Sequence, residues 1–289
     1  MPKVLVLGST GMLGSAVFSE FAKAGADVQE ASRTRGVKFD ATGLEVGDLL
    51  SRAGIDDGDF VINCVGLTKA RIDESSIASR VLAVRLNVDF PNQLALEAEK
   101  RGIKVIQVAT DCVYSGATGS YSEDSDHDPL DVYGKTKSLG EAPSSAVMHL
   151  RCSLIGPELG RNSLFFEWVR QQPQNARING FTNHIWNGLS STAFSKIARA
   201  IVENGLFSSG VQHLVPADKV TKDELVRLEL QALGRTDVSV SSVEASSRVD
   251  RTLSTKHTVA NTTLFKAAGY AEVPTVAQMV DELCAELAN

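Results

Sequence analysis

The sequence has few residues suited to metal binding and no excess of positive charge. Its four cysteines form no Cys-x-x-Cys pair, and its five histidines have no acid or cysteine at metal-ligand spacing. We therefore expect free thiols and no protein-bound metal. The formal net charge of −6 also lacks the basic excess that nucleic-acid binding needs, so we expect no nucleic-acid partner.

Long apolar runs are missing as well. No stretch reaches the roughly eighteen apolar residues of a membrane-spanning helix, and no charged and then apolar leader precedes the first strand. The sequence therefore predicts neither a membrane span nor a secretory signal, and we expect a cytoplasmic protein. The hydrophobic content of 43% over 289 residues is enough for a full core.

The first feature with chemical content is a glycine-rich turn after residues 3–7, an apolar run typical of a buried parallel strand. The turn, GSTGMLG, has glycines at Gly8, Gly11 and Gly14 and leads into an amphipathic helical pattern. Glycines let the backbone approach a pyrophosphate, and the free amides at the helix start bind its charge. The alternative is an ordinary strand-to-helix turn. The predicted cofactor contacts are Gly8, Thr10, Gly11, Met12 and Leu13.

Further strand-like runs recur at residues 60–65, 104–109 and 147–151, with weaker ones at 27–32 and 37–40. Helical patterns separate them, and this rhythm predicts a Rossmann-like, doubly wound α/β fold with a parallel sheet. Ligands bind at the carboxyl ends of such strands. We therefore expect the cofactor crevice to be lined by Asn63, Cys64, Val65, Gly66 and Thr110.

A hydroxyl, a phenol and an amine occur in the order of a carbonyl-reducing site. Thr110 lies upstream of Tyr133 and Lys137, which are four residues apart and so share one face of a helix. The ammonium is expected to lower the pKa of the nearby phenol, which helps a proton donor near neutrality. Taken alone, the spacing also fits a solvated helix face. Cys112, beside Thr110, fits a packed thiol better than a nucleophile.

These features form one series along the chain: GSTGMLG, VINCVG, the helical pattern that contains Asn87, TDCVYSG and YGKTKSLGE. With this series, the chain resembles an extended short-chain dehydrogenase/reductase of the dTDP-4-dehydrorhamnose reductase-like branch. The resemblance implies a nicotinamide cofactor on an N-terminal Rossmann domain, residues 1–151. It also implies a smaller, mainly substrate-binding lobe in residues 152–289, from which some segments return to the Rossmann domain.

The same resemblance implies reduction of the 4-keto group of a nucleotide-diphospho-6-deoxysugar. Tyr133 then gives a proton to the reacting oxygen, Thr110 hydrogen-bonds that oxygen, and Lys137 binds the nicotinamide ribose. Tyr133 and Lys137 therefore count as cofactor contacts too. A homodimer is possible on this interpretation.

Cofactor choice depends on the end of the second strand, where an acid accepts from the ribose 2′-hydroxyl and an arginine pairs with a 2′-phosphate. In QEASRTRG, Arg33 lies just past the expected strand end and Glu30 lies within the strand. This arrangement favours NADP(H) over NAD(H). Asp40 follows the next strand and fits either an adenine contact or a turn aspartate.

Substrate contacts are predicted on both sides of the expected cleft. Asp111 and Cys112 stand where many relatives have an aspartate and then an aromatic residue, so the contour around the sugar should differ. In the lobe, Asn183, Trp186 and Asn187 could hydrogen-bond or stack on a sugar or base, although Trp186 fits a core equally well.

Arg251, in VDRTLST, matches the place where relatives have an arginine toward the substrate diphosphate. A planar guanidinium suits a phosphate group, and the alternative is an exposed salt bridge.

Two other functions stay open and a third is disfavoured. A sugar-nucleotide epimerase uses the same three residues with tightly retained NAD. A non-catalytic subunit is the second, because a relative of this branch is the regulatory partner of methionine adenosyltransferase, although the intact Thr110, Tyr133 and Lys137 argue against it. A dehydratase would need an Asp-Glu pair after the threonine, where this chain has Asp111 and Cys112.

Overall fold

The computed structural model describes residues 2–43, 45–158 and 164–288. In these ranges the strands are β1 (Val4–Leu7), β2 (Val28–Ser32), β3 (Val37–Lys38), β4 (Phe60–Asn63), β5 (Lys104–Ala109), β6 (Val147–Arg151), β7 (Leu154–Ile155), β8 (Arg177–Phe181), β9 (His184–Trp186), β10 (Leu189–Ser190), β11 (Gly210–His213), β12 (Val220–Thr221), β13 (Ser239–Val243) and β14 (Val249–Asp250). The α-helices are α1 (Met12–Lys23), α2 (Val46–Ala53), α3 (Ile77–Val84), α4 (Phe90–Arg101), α5 (Val132–Leu139), α6 (Phe165–Arg170), α7 (Ser191–Glu203), α8 (Lys222–Ala232), α9 (Thr258–Ala267) and α10 (Val276–Leu287).

A seven-stranded sheet lies at the centre, in the order β3-β2-β1-β4-β5-β6-β11. Every strand pair in it is parallel. The predicted Rossmann-like α/β fold is therefore confirmed, and each of the six predicted strands is present. The seventh strand, β11, is unpredicted because its sequence, GVQH, has no apolar run.

Helices cover both faces of this sheet. Successive strand residues point to opposite faces, so Val4 and Val6 pack with α1 and α7, whereas Leu5 and Leu7 pack with α2 and α4. The carboxyl ends of the strands are then the part of the sheet that a ligand can reach.

After β6 the chain builds a smaller lobe from short sheets, in which β7 pairs with β10, β9 lies between β12 and β14, and β8 pairs with β13. Its apolar core includes Phe166, Trp186, Leu225 and Val280. Two later elements belong to the main sheet again: helix α7 packs on one of its faces, and strand β11 pairs with β6 at its edge. Within the described ranges, no helix is long and apolar enough to cross a bilayer.

Candidate active site

The glycine turn follows β1. Its glycines allow neighbouring backbone segments to lie closer than a side chain would permit. Gly8 has a φ of +78°, a left-handed conformation that favours glycine. A Cβ on Gly14 would lie only 2.2 Å from the Gly8 carbonyl oxygen, so a side chain there would push α1 away. The turn therefore places the start of α1 against the carboxyl end of β1.

The start of α1 has the properties of a pyrophosphate site. Gly11 begins the helix without a side-chain cap, and the first turn contains no acid, so its amides can bind an anion. The buried hydroxyl of Ser9 also has no hydrogen-bond partner among the described residues. Of the predicted contacts, Thr10 and Gly11 are exposed, Met12 is half-buried and Leu13 is buried. These features fit a dinucleotide.

The residues predicted to decide cofactor choice lie where expected relative to β2. Arg33 directly follows the strand and is exposed, and Glu30 lies within it. Asp40 accepts hydrogen bonds from the amide and hydroxyl of Thr42, at 3.0 and 2.9 Å. These bonds lower the pKa of Asp40, and the nearby Arg33 lowers it further. Sequence reasoning missed Arg35, whose guanidinium lies 3.3 Å from the Glu30 carboxylate.

The segment after β4 forms the next part of the crevice wall. Asn63 is buried; it donates a 2.8 Å hydrogen bond to a side chain of β5 and accepts one from the Val65 amide at 3.0 Å. Cys64 and Val65 are half-buried and Gly66 is exposed. A Cβ on Gly8 would lie 3.1 to 3.2 Å from the backbone of Cys64 and Val65. Asn63 thus shapes the loop that lies against the glycine turn.

Thr110 follows β5 directly and is 7% exposed. Its hydroxyl accepts from the Cys112 amide at 3.2 Å and donates to the Asp111 carboxylate at 3.2 Å. The same hydroxyl also interacts with the phenol of Tyr133. Thr110 therefore sits between the buried acid and the predicted proton donor.

Helix α5 brings Tyr133 to this segment. Asp131 caps the helix by accepting from the Gly134 amide at 2.8 Å. A Cβ on Gly134 would lie 2.2 Å from the Cys112 carbonyl oxygen, so glycine allows the close approach of α5. Lys137 lies one turn further and donates to a carbonyl near the end of β5 at 2.8 Å. The three predicted catalytic residues therefore meet at the end of β5.

The expected direction of the phenol pKa is wrong. Burial raises the pKa of the Tyr133 phenol, although the Thr110 hydroxyl lowers it. The Lys137 ammonium binds the Val108 carbonyl at 2.8 Å rather than the phenol, and burial lowers the pKa of Lys137 as well. Burial therefore sets the direction of the shift in the Tyr133 pKa, and the phenol stays protonated near neutrality.

Asn87 is a positioning residue that sequence reasoning did not include in the site. It lies in a π-helical turn between α3 and α4 and is buried. Its amide exchanges hydrogen bonds of 2.8 and 3.0 Å with the backbone of Leu67 and donates to the Thr136 hydroxyl at 3.1 Å. Asn87 thus ties α5 to the loop after β4. The available signal is an amide within an otherwise helical, apolar segment.

The predicted lobe residues have structural partners. The Asn183 amide exchanges bonds of 2.8 and 2.9 Å with the backbone of Ala245, and Asn187 exchanges bonds of 2.7 and 2.9 Å with that of Leu253. Trp186 is 5% exposed and belongs to the lobe core. The two asparagines therefore hold backbone segments of the lobe, and Trp186 lies in the lobe core, while their contacts to a sugar stay predictions.

Two cations from the C-terminal part of the chain affect the segment that follows β5. Arg251 donates from Nε to the Tyr114 carbonyl at 2.9 Å. Burial raises the pKa of Asp111, whereas Arg251 and Lys222 lower it. Sequence reasoning identified Arg251 and missed Lys222, because a lysine at a helix start gives no sign that its side chain turns inward.

The cysteines and acids give no competing chemistry in the described part of the chain. All four cysteines lie in it and are unpaired. Among the described residues, no group of three His, Cys, Asp or Glu is arranged to hold a metal ion. Burial raises the pKa of Cys112 to about 12, so this thiol is not ionised near neutrality and is a poor nucleophile.

The fold and the site together define a class: Rossmann-like α/β proteins with a dinucleotide-type glycine turn and a Thr, Tyr and Lys group at the strand ends. A family profile described as RmlD substrate binding domain matches residues 2–289. The chain belongs to this family, that of the dTDP-4-dehydrorhamnose reductases, which are oxidoreductases. The resemblance to the dTDP-4-dehydrorhamnose reductase-like branch is therefore confirmed.

Two curated relatives match over part of the chain. Methionine adenosyltransferase 2 subunit beta of Xenopus tropicalis is 35% identical over 153 residues, which are 51% of this chain and 43% of that protein. The dTDP-4-dehydrorhamnose reductase of Streptomyces griseus is 32% identical over 141 residues, 48% of this chain and 44% of that protein. The match thus spans less than half the length of either relative.

Two solved structures share the fold over nearly the whole chain. The dTDP-4-dehydrorhamnose reductase of Bacillus anthracis, in complex with NADP, has a TM-score of 0.78 at 18% identity and covers 99% of this chain and 100% of its own. The UDP-glucuronic acid 4-epimerase of Bacillus cereus, in complex with NAD, has a TM-score of 0.72 at 18% identity and covers 99% and 97%. At these identities the likeness shows the fold alone.

Proposed function

We propose that this protein reduces the 4-keto group of a nucleotide-diphospho-6-deoxysugar with NADPH. The observation that carries the proposal is the meeting of Thr110, Tyr133 and Lys137 at the end of β5, in the sheet whose glycine turn fits a dinucleotide. Bound NADPH would supply the hydride. The protonated Tyr133 gives its proton to the carbonyl oxygen as negative charge develops there. The Thr110 hydroxyl, which donates to Asp111 in this structure, would rotate to donate its one proton to the same oxygen. Lys137 would hold the nicotinamide ribose.

The preference for NADPH rests on the cations after β2. Arg33 is exposed directly past the strand end, where an arginine can pair with a 2′-phosphate. Arg35 lies in the same turn with a half-exposed side chain. Glu30 lies inside the strand, and its carboxylate is 3.3 Å from the Arg35 guanidinium, which supports the choice of NADPH over NADH.

The direct test is NADPH oxidation against a panel of nucleotide-linked 4-keto-6-deoxysugars, with the product identified by NMR. We expect turnover for at least one sugar, with a new C4 alcohol in the product. No NADPH oxidation with any ketosugar, together with normal NADPH binding, would reject the reductase.

Two alternatives have their own observations. An epimerase uses the same three residues, and NAD that stays bound through purification would favour it over the reductase. A non-catalytic subunit is supported by the partial match to methionine adenosyltransferase 2 subunit beta. A stoichiometric complex with a methionine adenosyltransferase catalytic subunit, without ketosugar turnover, would favour this role.

The proposal also includes a homodimer and a cytoplasmic location. It divides the chain into a cofactor-binding region, residues 1–151, and a mainly substrate-binding remainder, residues 152–289. For the dimer, α3 and α5 are neighbours with exposed apolar side chains nearby: Ile77 is 81% exposed, Leu130 73% and Leu139 68%. Sedimentation of the wild type and of Ile77→Lys tests this surface. A monomeric wild type would reject the dimer.

A further inference from the structure

Three buried polar side chains lie side by side on neighbouring strands of the central sheet. Asn63 on β4, Gln107 on β5 and His149 on β6 are partners in the strand register, and each is at most 3% exposed. They share the face on which α2 and α4 pack. His149 donates to the Ala142 carbonyl, just after α5, at 2.9 Å. The strands of a parallel sheet are otherwise apolar, so the hydrogen bonds of this row show what it holds in place.

Gln107 is the central member of the row and has a partner at each end of its amide. Its side-chain oxygen accepts from the Asn63 amide at 2.8 Å, and its side-chain nitrogen donates to the Val108 carbonyl at 3.1 Å. The same carbonyl accepts from the Lys137 ammonium at 2.8 Å. A carbonyl oxygen has two lone pairs, so Val108 can accept from both side chains at once.

These bonds form one connected series from the glycine turn to Lys137. Asn63 accepts from the Val65 amide at 3.0 Å, and a Cβ on Gly8 would lie 3.2 Å from the same amide nitrogen. The series continues through Gln107 to the carbonyl that holds the ammonium. The part of the site that fits a pyrophosphate is therefore joined to the proposed ribose contact by hydrogen bonds between buried groups.

We propose that Gln107 is a positioning residue for the cofactor, which acts through Lys137. In the described part of the chain, the Val108 carbonyl is the one hydrogen-bond acceptor of the Lys137 ammonium. An ammonium has three donors, so two remain for the hydroxyl groups of the nicotinamide ribose. By holding the Val108 carbonyl, Gln107 sets where those two donors point. The inference rests on the proposed function in one respect, namely that Lys137 holds this ribose.

Removal of the Gln107 amide should affect one part of the cofactor and spare the other. Gln107→Met keeps the length and most of the volume of the side chain but cannot donate to the Val108 carbonyl. The carbonyl and the ammonium are then free to shift together, and the contact with the ribose weakens. The loss of one hydrogen bond of this kind corresponds to about tenfold in affinity. The adenosine end of the cofactor does not depend on Lys137, so its binding should not change.

The experiment is calorimetric titration of the full chain with NADPH and with 2′,5′-ADP, which lacks the nicotinamide ribose. Gln107→Met should weaken NADPH binding about tenfold and leave 2′,5′-ADP binding unchanged. Gln212→Met is the matched control, because Gln212 on β11 is 7% exposed and also donates to the carbonyl of the next residue, at 2.7 Å. It should bind both ligands as the wild type does. Equal weakening of the two ligands in Gln107→Met, or unchanged NADPH affinity, would overturn the proposal.

A double-mutant cycle tests whether Gln107 acts through Lys137. Lys137→Met should weaken NADPH binding and spare 2′,5′-ADP, and Gln107→Met should then add no further loss. Losses that add in the double variant would overturn the proposal. Gln107→Glu serves if Gln107→Met does not fold, because its carboxylate still accepts from Asn63 but cannot donate to the Val108 carbonyl. The same selective loss of NADPH affinity is expected, and unchanged NADPH affinity would again count against the proposal.

The titrations do not depend on turnover, so they separate this proposal from the proposed function. If the wild type binds NADPH but reduces no ketosugar, the reductase assignment fails, and the titrations still decide the role of Gln107. If the wild type binds NADH in place of NADPH, the ligands become NADH and ADP, with the same selective loss expected. Binding of neither cofactor by the wild type would overturn the role of Gln107 as well.

Discussion

A buried arginine at the end of β6 donates hydrogen bonds to two histidines, which must be neutral to accept them. The pH dependence of the free energy of unfolding tests this arrangement. Arg151 ends β6 and is 1% exposed. Its guanidinium donates to the Tyr114 hydroxyl at 2.7 Å, to His213 Nε2 at 2.8 Å and to His127 Nε2 at 2.9 Å, and it forms a salt bridge with Glu141. Because His213 accepts at Nε2, its proton is on Nδ1, which donates to a backbone carbonyl at 2.7 Å.

Protonation of His213 would place a second N–H group against the guanidinium. Burial, and then the charge of Arg151, lower the pKa of His213 to about 4 from an ordinary value of 6.5. The unfolded chain takes up this proton below pH 6.5 and the folded protein only near pH 4, so the free energy of unfolding falls as the pH falls through this window. At about 1.4 kcal/mol for each pH unit, the difference corresponds to about 3 kcal/mol.

The assay is urea unfolding at about pH 7 and about pH 4, for the wild type and His213→Gln. Glutamine can accept from Arg151 but does not titrate, so the variant should lose about 3 kcal/mol less than the wild type between these pH values. Acids common to both proteins cancel in this comparison. His257→Gln, at an exposed position, is the matched control and should follow the wild type. Equal losses in the wild type and His213→Gln would refute the reasoning.

Three further predictions concern ligands. Tyr133→Phe should lower kcat by about a hundredfold to ten-thousandfold with NADPH affinity unchanged, because it removes only the transferable proton; Tyr270→Phe is the control, and wild-type turnover in Tyr133→Phe would exclude Tyr133 as the acid. Arg33→Ala should weaken NADPH binding about tenfold to a hundredfold in a fluorescence titration and spare NADH; an equal loss for both cofactors would contradict a 2′-phosphate contact. Arg251→Ala should raise the KM for the nucleotide sugar without weakening cofactor binding, since a contact made equally in ground and transition states affects binding alone. Unchanged substrate kinetics would place the diphosphate elsewhere.

The sheet and helix α5 can be predicted from the sequence because they depend on neighbours along the chain. The apolar runs of β1, β4, β5 and β6 report burial on both faces of a parallel sheet. The spacing of Tyr133 and Lys137 places both on one helix face whatever the rest of the chain does. Gly8 and Gly14 likewise mark a turn whose backbone geometry depends on residues next to each other in the sequence.

The lobe and the electrostatics depend on contacts between distant residues, which a single sequence does not reveal. Asn183 and Asn187 pair with backbone groups 62 and 66 residues later, and their residue type alone gives no sign of these partners. The polar end of β11 is buried with its side chains paired: the Gln212 amide donates to the carbonyl of the neighbouring His213, and His213 Nδ1 donates to the Ser254 carbonyl, 41 residues later. The predicted direction of the shift in the Tyr133 pKa is wrong for the same reason, because the burial of the phenol depends on the packing of the whole site.

Cys112 shows how a small residue can change the shape of a site without changing its proton chemistry. Burial raises the pKa of its thiol to about 12, which keeps it neutral, and its carbonyl is already as close to α5 as Gly134 allows. An aromatic side chain at this position would take up more of the space beside Asp111. In this chain the Lys222 ammonium acts on both Asp111 and Cys112. The small side chain at position 112 therefore changes the shape of the site beside Asp111, while its neutral thiol leaves proton transfer to the proposed acid, Tyr133.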